Sequence, residues 1–242
     1  MRRPHAVLDI VSRNAKAAKI EYVLKPYVSL HSARLLDFGC GSGAIASYFG
    51  NPSGPCCEVD AVDVVDVREQ LQFYRFSRLE VNNSVPVEGG SFNIILSNHV
   101  LEHVGERSAQ VAYLKEIRRL LAPSGVGYLA LPNRWMLVEP HYRIPFLSWL
   151  PSSWRSPYLR ASGRGAEYDC TPLSMSELES CFGEVGLDYE NVCFQVLDAT
   201  ALVEGKLVSA ARMAAGMPEE LKRLILPLMP TLCYLIRRRG GA

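Results

Sequence analysis

Three of the five histidines in this chain stand among groups that would organise proton transfer. His141 lies in the run Glu139-Pro140-His141-Tyr142, where a nearby carboxylate can orient the ring and raise its pKa. Histidine titrates near neutral pH, which suits a general base. His99 and His103 flank Val100-Leu101-Glu102 at i, i+4 spacing and so would share one face of a helical turn. That spacing resembles a metal pair, but no third ligand stands nearby in the sequence, and no metal site is expected. His141, with Glu139 beside it, is the preferred candidate base. His103 reads equally as a catalytic group or as a histidine packed beneath an active site. His5 and His31 read as surface residues.

A second chemical signal is the run "LLDFGCGSGA", with glycines at 39, 41 and 43. Glycines at that spacing let a backbone turn tightly and approach a ligand without side-chain interference. Loops of this composition serve phosphate, dinucleotide and other nucleoside ligands, and a plain strand-to-helix turn is the other reading. A dinucleotide fingerprint would place a third glycine at 44, where this chain has alanine, and the lysine of a phosphate-binding loop is missing. Asp37 beside the turn would repel a pyrophosphate. Asp63 follows Gly41 by 22 positions (63 − 41), at the end of the next apolar run, where a carboxylate can accept hydrogen bonds from both ribose hydroxyls. Asp60 and Asp66 are less well placed.

The elements that position these groups follow from periodicity. Leu35-Leu36 begins a short apolar strand, "EVDAVDVVDVRE" holds a second, and Ile94–Leu96 a third, buried one. "SAQVAYLKEIRRLLAPSGVGYLALP" reads as helix, turn and strand: Val111, Leu114, Ile117, Leu120 and Leu121 line one face, Pro123-Ser124-Gly125 turns, and Val126–Leu131 is the strand. Near the start, Val11, Ala15, Ala18 and Tyr22 mark an amphipathic helix. Further on, "SMSELESCFGEVGL" is a helix capped by Ser174 or Ser176 and stopped by Gly186, followed by a strand in "ENVCFQVL", helical sequence over 199–223 and a last strand in "TLCYLIRR". Alternating strands and helices imply a mostly parallel, doubly wound α/β sheet whose ligand lies at the C-terminal strand ends.

Composition narrows the function. The chain has 242 residues, 48% hydrophobic, with a formal net charge of +1. It can bury a sizeable core as one domain over 1–242, and the near-neutral charge gives no general pull toward nucleic acid. Seven cysteines without metal-type pairing favour reduced thiols and a cytoplasmic setting. The N-terminal segment is too charged for a signal-peptide core, and Leu224–Ile236 is too short and proline-broken to span a membrane. That tail is expected mainly in the core, with weak membrane-surface contact the other reading.

The motifs "LLDFGCGSG", "VDAVDVVD", "VPVEGGSFNIILSNHVLEHV" and "YLKEIRRLLAPSGVGYLALPN" together resemble the class I S-adenosylmethionine-dependent methyltransferases, in particular the group that includes the ubiquinone-biosynthesis enzymes. They stand in that family's order over about residues 30–135. The resemblance implies a seven-stranded Rossmann-like sheet with a reversed last strand and S-adenosyl-L-methionine across the first four strand ends. It implies that Gly39, Cys40, Gly41 and Gly43 line the methionine part with Asp37 supporting the turn, that Asp63 binds the ribose and Val64 flanks the adenine. Val81 and Asn82 would reach the adenine edge, and Ser97 and Asn98 would close over the sulfonium side. Phe92-Asn93 departs from the family's usual Phe-Asp, removing a charge but not a hydrogen-bonding role.

Residues 132–172 break the pattern. Four prolines between Leu131 and Pro151 and the aromatics Trp135, Tyr142, Phe146, Trp149 and Trp154 leave the strand end at the cofactor-facing rim, where acceptor-binding elements belong. A satellite core is the structural alternative. The expectation is an acceptor lid over a small-molecule or lipid- or sugar-linked acceptor, with O-methylation preferred. A nicotinamide-dependent oxidoreductase and a cofactor-binding scaffold without catalysis stand as the alternatives.

Overall fold

The computed structural model describes residues 9–80 and 84–240. Seven strands form one sheet in the order β3-β2-β1-β4-β5-β9-β8. They are β1 (Arg34–Phe38), β2 (Glu58–Asp63), β3 (Arg75–Arg78), β4 (Phe92–Asn98), β5 (Leu121–Pro132), β8 (Leu187–Asn191) and β9 (Thr231–Arg238). Strands β1 to β5 pair in parallel, while β9 runs antiparallel between β5 and β8. The doubly wound, seven-stranded sheet with one reversed strand is therefore present. A two-stranded hairpin, β6 (Val138–Glu139) and β7 (Ile144–Pro145), lies in the segment after β5.

Helices α1 (Ile10–Leu24), α2 (Ala44–Gly50) and α6 (Cys193–Glu204) pack on one face of the sheet, and α3 (Arg107–Leu120) and α5 (Met175–Val185) on the other. Side chains of a strand alternate between the two faces. Thus Leu36 and Ile95 join Leu114, Ile117 and Phe182 in one layer, and Leu35 and Ile94 join Ile20, Leu24 and Phe49 in the other. Full burial of each such side chain contributes roughly 1.5–3 kcal/mol. The remaining helices are α4 (Ser152–Ala161), α7 (Val208–Ala215) and α8 (Glu219–Ile225).

Several local expectations are corrected. The buried face of α1 is Ala17, Ile20, Val23 and Leu24, whereas Val11 and Tyr22 are exposed; the inward face is the one that also carries Arg13 and Lys16 toward charged groups of the body. The turn at Pro123–Gly125 lies inside β5 as an irregularity: Phe92 pairs with Leu121, Ile94 already with Val126. Of "ENVCFQVL" only Glu190 and Asn191 are strand, and the strand lies earlier than expected, over Leu187–Asn191. β8 ends at Asn191, whose side-chain oxygen accepts the Cys193 N–H, and α6 starts there. Ser174 is the cap of α5, through a reciprocal box with Glu177, and Gly186 ends it in the left-handed region. β3 lies in a stretch where the sequence pattern showed no element.

The tail divides. Leu232–Ile236 in β9 are buried between β5 and β8, while Leu224 and Leu228 just before them remain exposed. Among the described residues no helix is long and apolar enough to cross a membrane. All seven cysteines are free thiols.

Candidate functional site

The glycine turn joins β1 to α2 at the C-terminal strand edge. β1 lies between β2 and β4, so Asp37 sits opposite Ala61 and Leu96 in the middle of the sheet. The N–H groups of Gly39 and Cys40 donate to the Val62 carbonyl at 2.8 and 3.1 Å, closing the turn against β2. Gly39, Gly41 and Gly43 all have positive φ (88°, 51° and 76°), a region other residues enter at a cost. A Cβ on Gly39 would meet Val100 Cγ2 at 2.4 Å, and one on Gly43 would meet the Tyr74 hydroxyl at 2.1 Å. Gly41 faces open space instead, with nothing within 4 Å of a Cβ.

Asp63 ends β2 and reaches across to this turn. Its Oδ2 accepts the Gly41 N–H at 2.9 Å and its Oδ1 the Val65 N–H at 3.2 Å. The two sequence signals 22 residues apart are therefore one local structure. Asp37 is buried and its Oδ2 has no hydrogen-bond partner. Burial, reinforced by the Asp63 charge, pushes its carboxyl up to about 7, with Arg13 acting in the opposite sense. A buried acceptor beside an open glycine backbone fits a ligand that brings a positive group and a donor.

The other proposed cofactor contacts are placed unequally. Cys40 is buried, its thiol pushed up by burial and by Asp37 and Asp63. Val64 is partly exposed after Asp63. The Ser97 hydroxyl pairs with the Tyr113 hydroxyl at 2.9 Å, and Tyr113 stacks on Phe38 at 4.5 Å, so this side chain belongs to the α3-facing layer. Asn98 ends β4 opposite Ala130. Val81 and Asn82 lie outside the described residues.

The segment after β5 is folded rather than loop. Its ends are tied together, since the Arg134 N–H donates to the Leu173 carbonyl and the Arg134 guanidinium meets Glu177 at 3.1 Å. Buried Asn133 donates to the Pro227 and Met229 carbonyls, anchoring the exit from β5. Ile144, Leu147 and Leu159 form a small core of their own with Tyr142 and Tyr168. Trp149 sits edge-on to both Trp135 and Phe146, at 5.6 and 5.2 Å. A cavity of about 430 Å³ opens between Phe146, Leu150, Trp154, Pro157, Tyr158 and Ala161.

At the base of this segment the polar groups gather. Glu139 is buried, and its two oxygens hold His141 Nδ1 at 2.6 Å and the Tyr142 N–H at 2.7 Å. Burial works against the charged ring of His141, but the hydrogen bond and charge of Glu139, backed by Glu102 and Asp169, outweigh it and raise the pKa. His103 belongs to a single 3-10 turn, Leu101–His103, just after β4, and its ring lies 5.3 Å from that of His141. His99, held at a φ of 59°, meets Glu102 at 3.3 Å. The segment around Cys170 is stitched to the same turn: Thr171 N–H donates to the Glu102 carbonyl, and buried Gln110 bridges the Leu101 and Thr171 carbonyls.

Cys170, Glu102, Arg13 and Lys16 are site residues that pattern reading missed. Burial, with Arg13 and Lys19 nearby, lowers the Lys16 ammonium to about 8, and Glu102 and Cys233 counter this, which brings α1 to the same rim. The only sequence sign was basic residues on a helix otherwise able to bury itself.

A family model described as a methyltransferase domain matches residues 2–192. A ubiquinone biosynthesis O-methyltransferase of Parvibaculum lavamentivorans is 25% identical over 175 residues, covering 68% of this chain and 61% of that protein. One from Cereibacter sphaeroides is 27% identical over 132 residues, 52% of each chain. The chain thus spans roughly half to three fifths of the length of these curated relatives. Two solved structures share the fold: a Burkholderia thailandensis 1,6-didemethyltoxoflavin-N1-methyltransferase (TM-score 0.55, 18% identity, 95% of this chain and 79% of that one) and the plantazolicin methyltransferase BpumL (TM-score 0.58, 17% identity, 95% and 85%). Both of those carry S-adenosylhomocysteine.

Proposed function

The chain belongs to the methyltransferase-domain family, and from that premise we propose that it transfers a methyl group from S-adenosylmethionine to a small or lipid- or sugar-linked acceptor, at oxygen. The observation that carries the reading is the joined turn: open Gly41, the buried Asp37 oxygen without a donor, and Asp63 bonded across to Gly41. A ligand with an ammonium group and a ribose matches those three features at once. A nicotinamide dinucleotide matches them poorly, because Asp37 would face a pyrophosphate and Ala44 stands where that fingerprint has glycine.

When bound, the cofactor supplies an electrophilic methyl on a sulfonium. The chain's part is to bring the acceptor in line with it, and positioning of this kind is worth up to roughly 7–11 kcal/mol. Asp37 and the glycine backbone hold the amino-acid end, and Asp63 the ribose. The Trp135–Trp149–Phe146 wall and the apolar cavity beside it suit an acceptor with a ring or alkyl face. His141, oriented by Glu139, takes the acceptor proton, with His103 beside it. The ubiquinone O-methyltransferase relatives support oxygen as the acceptor atom.

Calorimetric titration with S-adenosylhomocysteine and with NAD tests the cofactor. Binding of the first alone is expected, and NAD binding without a response to the homocysteine compound would overturn the reading. A labelled-methyl assay over metabolite and lipid extracts then identifies the acceptor. Cofactor binding with no transfer across a broad acceptor panel would leave the non-catalytic scaffold.

A further inference from the structure

The lid base holds more ligand chemistry than proton transfer requires. His103, His141 and Cys170 come from three separate segments, yet one donor atom of each lies within 4.8 Å of the other two. His103 Nδ1 is 3.6 Å from the Cys170 sulfur. Metal–nitrogen and metal–sulfur bonds of roughly 2.0–2.3 Å in a tetrahedron place two donors about 3.5 Å apart, so this pair already has the required separation.

A carboxylate stands beside each imidazole. Glu139 Oε1 engages His141 Nδ1 at 2.6 Å, and the Cys170 sulfur lies 3.9 Å from the same nitrogen. Glu102 Oε1 lies 4.0 Å from His103 Nε2, the nitrogen opposite the one that faces the thiol. Metal-binding histidines commonly have such an outer carboxylate, which sets the tautomer and strengthens the ligand. Glu102 is completely buried, and neither of its oxygens has a hydrogen-bond partner. Burying a carboxylate in that condition is costly unless a cation lies nearby, and the Lys16 ammonium and His99, 3.3 Å away, already face it.

Cys170 is not a nucleophile in waiting. Burial, with Asp169, Glu139 and Glu102, pushes its thiol well above the ordinary range. Two imidazoles and one thiol form a donor set for zinc, cobalt or copper, not for magnesium or calcium.

We propose that His103, His141 and Cys170 bind a divalent transition metal, with zinc the best match, in a three-ligand site whose fourth position opens to the acceptor. Binding forms one metal–sulfur and two metal–nitrogen bonds and sends the thiol proton to solvent, with no change of oxidation state. In the loaded protein His141 is a ligand, and the acidifying role passes from the imidazole to the ion. The base role given above then describes the metal-free protein. This use of the ion rests on the methyl-transfer reading, whereas the binding itself does not.

The test takes the full chain, stripped with a chelator and free of cofactor, and titrates it with Co²⁺ and then Zn²⁺. One equivalent of cobalt with a sulfur-to-metal charge-transfer band, displaced by zinc, is expected. Cys170→Ser should abolish the band and weaken zinc at least ~10-fold, and Glu102→Gln should keep the band while weakening zinc ~10–100-fold. Cys56→Ser, outside the cluster, should change neither. Absence of the band in the folded wild-type protein, or its persistence in Cys170→Ser, overturns the proposal. X-ray absorption on the zinc-loaded wild type guards against a variant that does not fold: a sulfur-free metal shell overturns the site. Parallel calorimetry with S-adenosylhomocysteine separates the two readings, because retained binding of that compound without metal binding removes the metal site alone.

Discussion

In the glycine turn, the functional groups hang from the ends of neighbouring parallel strands: Asp37 ends near the tip of β1 and Asp63 at that of β2, linked through one 2.9 Å bond to Gly41. In the lid, the corresponding groups come from a turn after β4, the tip of a two-stranded hairpin and an extended segment before α5, held together by Gln110, Thr171 and Glu139. The turn inherits its geometry from the sheet, whose register sets every position. The lid builds its geometry from side-chain hydrogen bonds over a core of three buried residues. A site of the first kind fails when the backbone fails, and one of the second kind fails when a buried polar group loses its partner.

That contrast breaks most sharply at glycine. Gly39→Ala places a Cβ against Val100 and forces a positive φ, and a loss of roughly 3–5 kcal/mol of stability is expected from denaturant unfolding. Gly41→Ala has open space, so it should cost only about 1 kcal/mol of stability while removing S-adenosylhomocysteine binding in calorimetry. Equal stability losses in the two would mean that the turn is not a ligand cradle.

Next comes pH. Asp37 is raised to about 7 in the folded chain from an ordinary 3.8. The folded state therefore holds its proton where the unfolded state has released it, and stability falls as pH rises between those values. Roughly 2–3 kcal/mol should be lost between pH 5 and pH 8 in the cofactor-free protein, at about 1.4 kcal/mol per unit. Asp37→Asn should flatten that part of the profile, and an unchanged slope would assign it to another group.

In the segment after β5, Glu139→Ala removes one partner each of His141 and the Tyr142 N–H. A local loss of about 2 kcal/mol is expected, read as faster hydrogen exchange over 133–173 with protection of the sheet strands and cofactor-analogue affinity unchanged. Exchange spreading to β1 and β4 would show that the lid and sheet unfold together. The smallest effect is expected at exposed Trp154: alanine there should change stability by under about 0.5 kcal/mol and show only in the binding of an apolar acceptor.

The turn was legible because its causes are local. Positive φ selects glycine, and an acid ending the next parallel strand falls beside it by register alone. α3 was legible for a similar reason, since Val111, Leu114, Ile117 and Leu120 repeat at helical spacing and all are buried. The misread face of α1 shows the limit. Two stripes of that helix were apolar enough to be core, and the choice between them came from where Arg13 and Lys16 met Asp37 and Glu102. The strand end at Asn191 was likewise decided by one side-chain oxygen capping the next backbone N–H.

By itself the sequence determined the parallel α/β sheet, the glycine turn with its partner acid, and an aromatic segment at the rim, because each depends on contacts short in sequence or on a repeating period. Only the tertiary structure decided that Cys170 stands with His103 and His141, and that Glu102 is buried beside them without a hydrogen bond. His103, His141 and Cys170 lie tens of positions apart. No period relates them, and the lid's packing alone brings their side chains together.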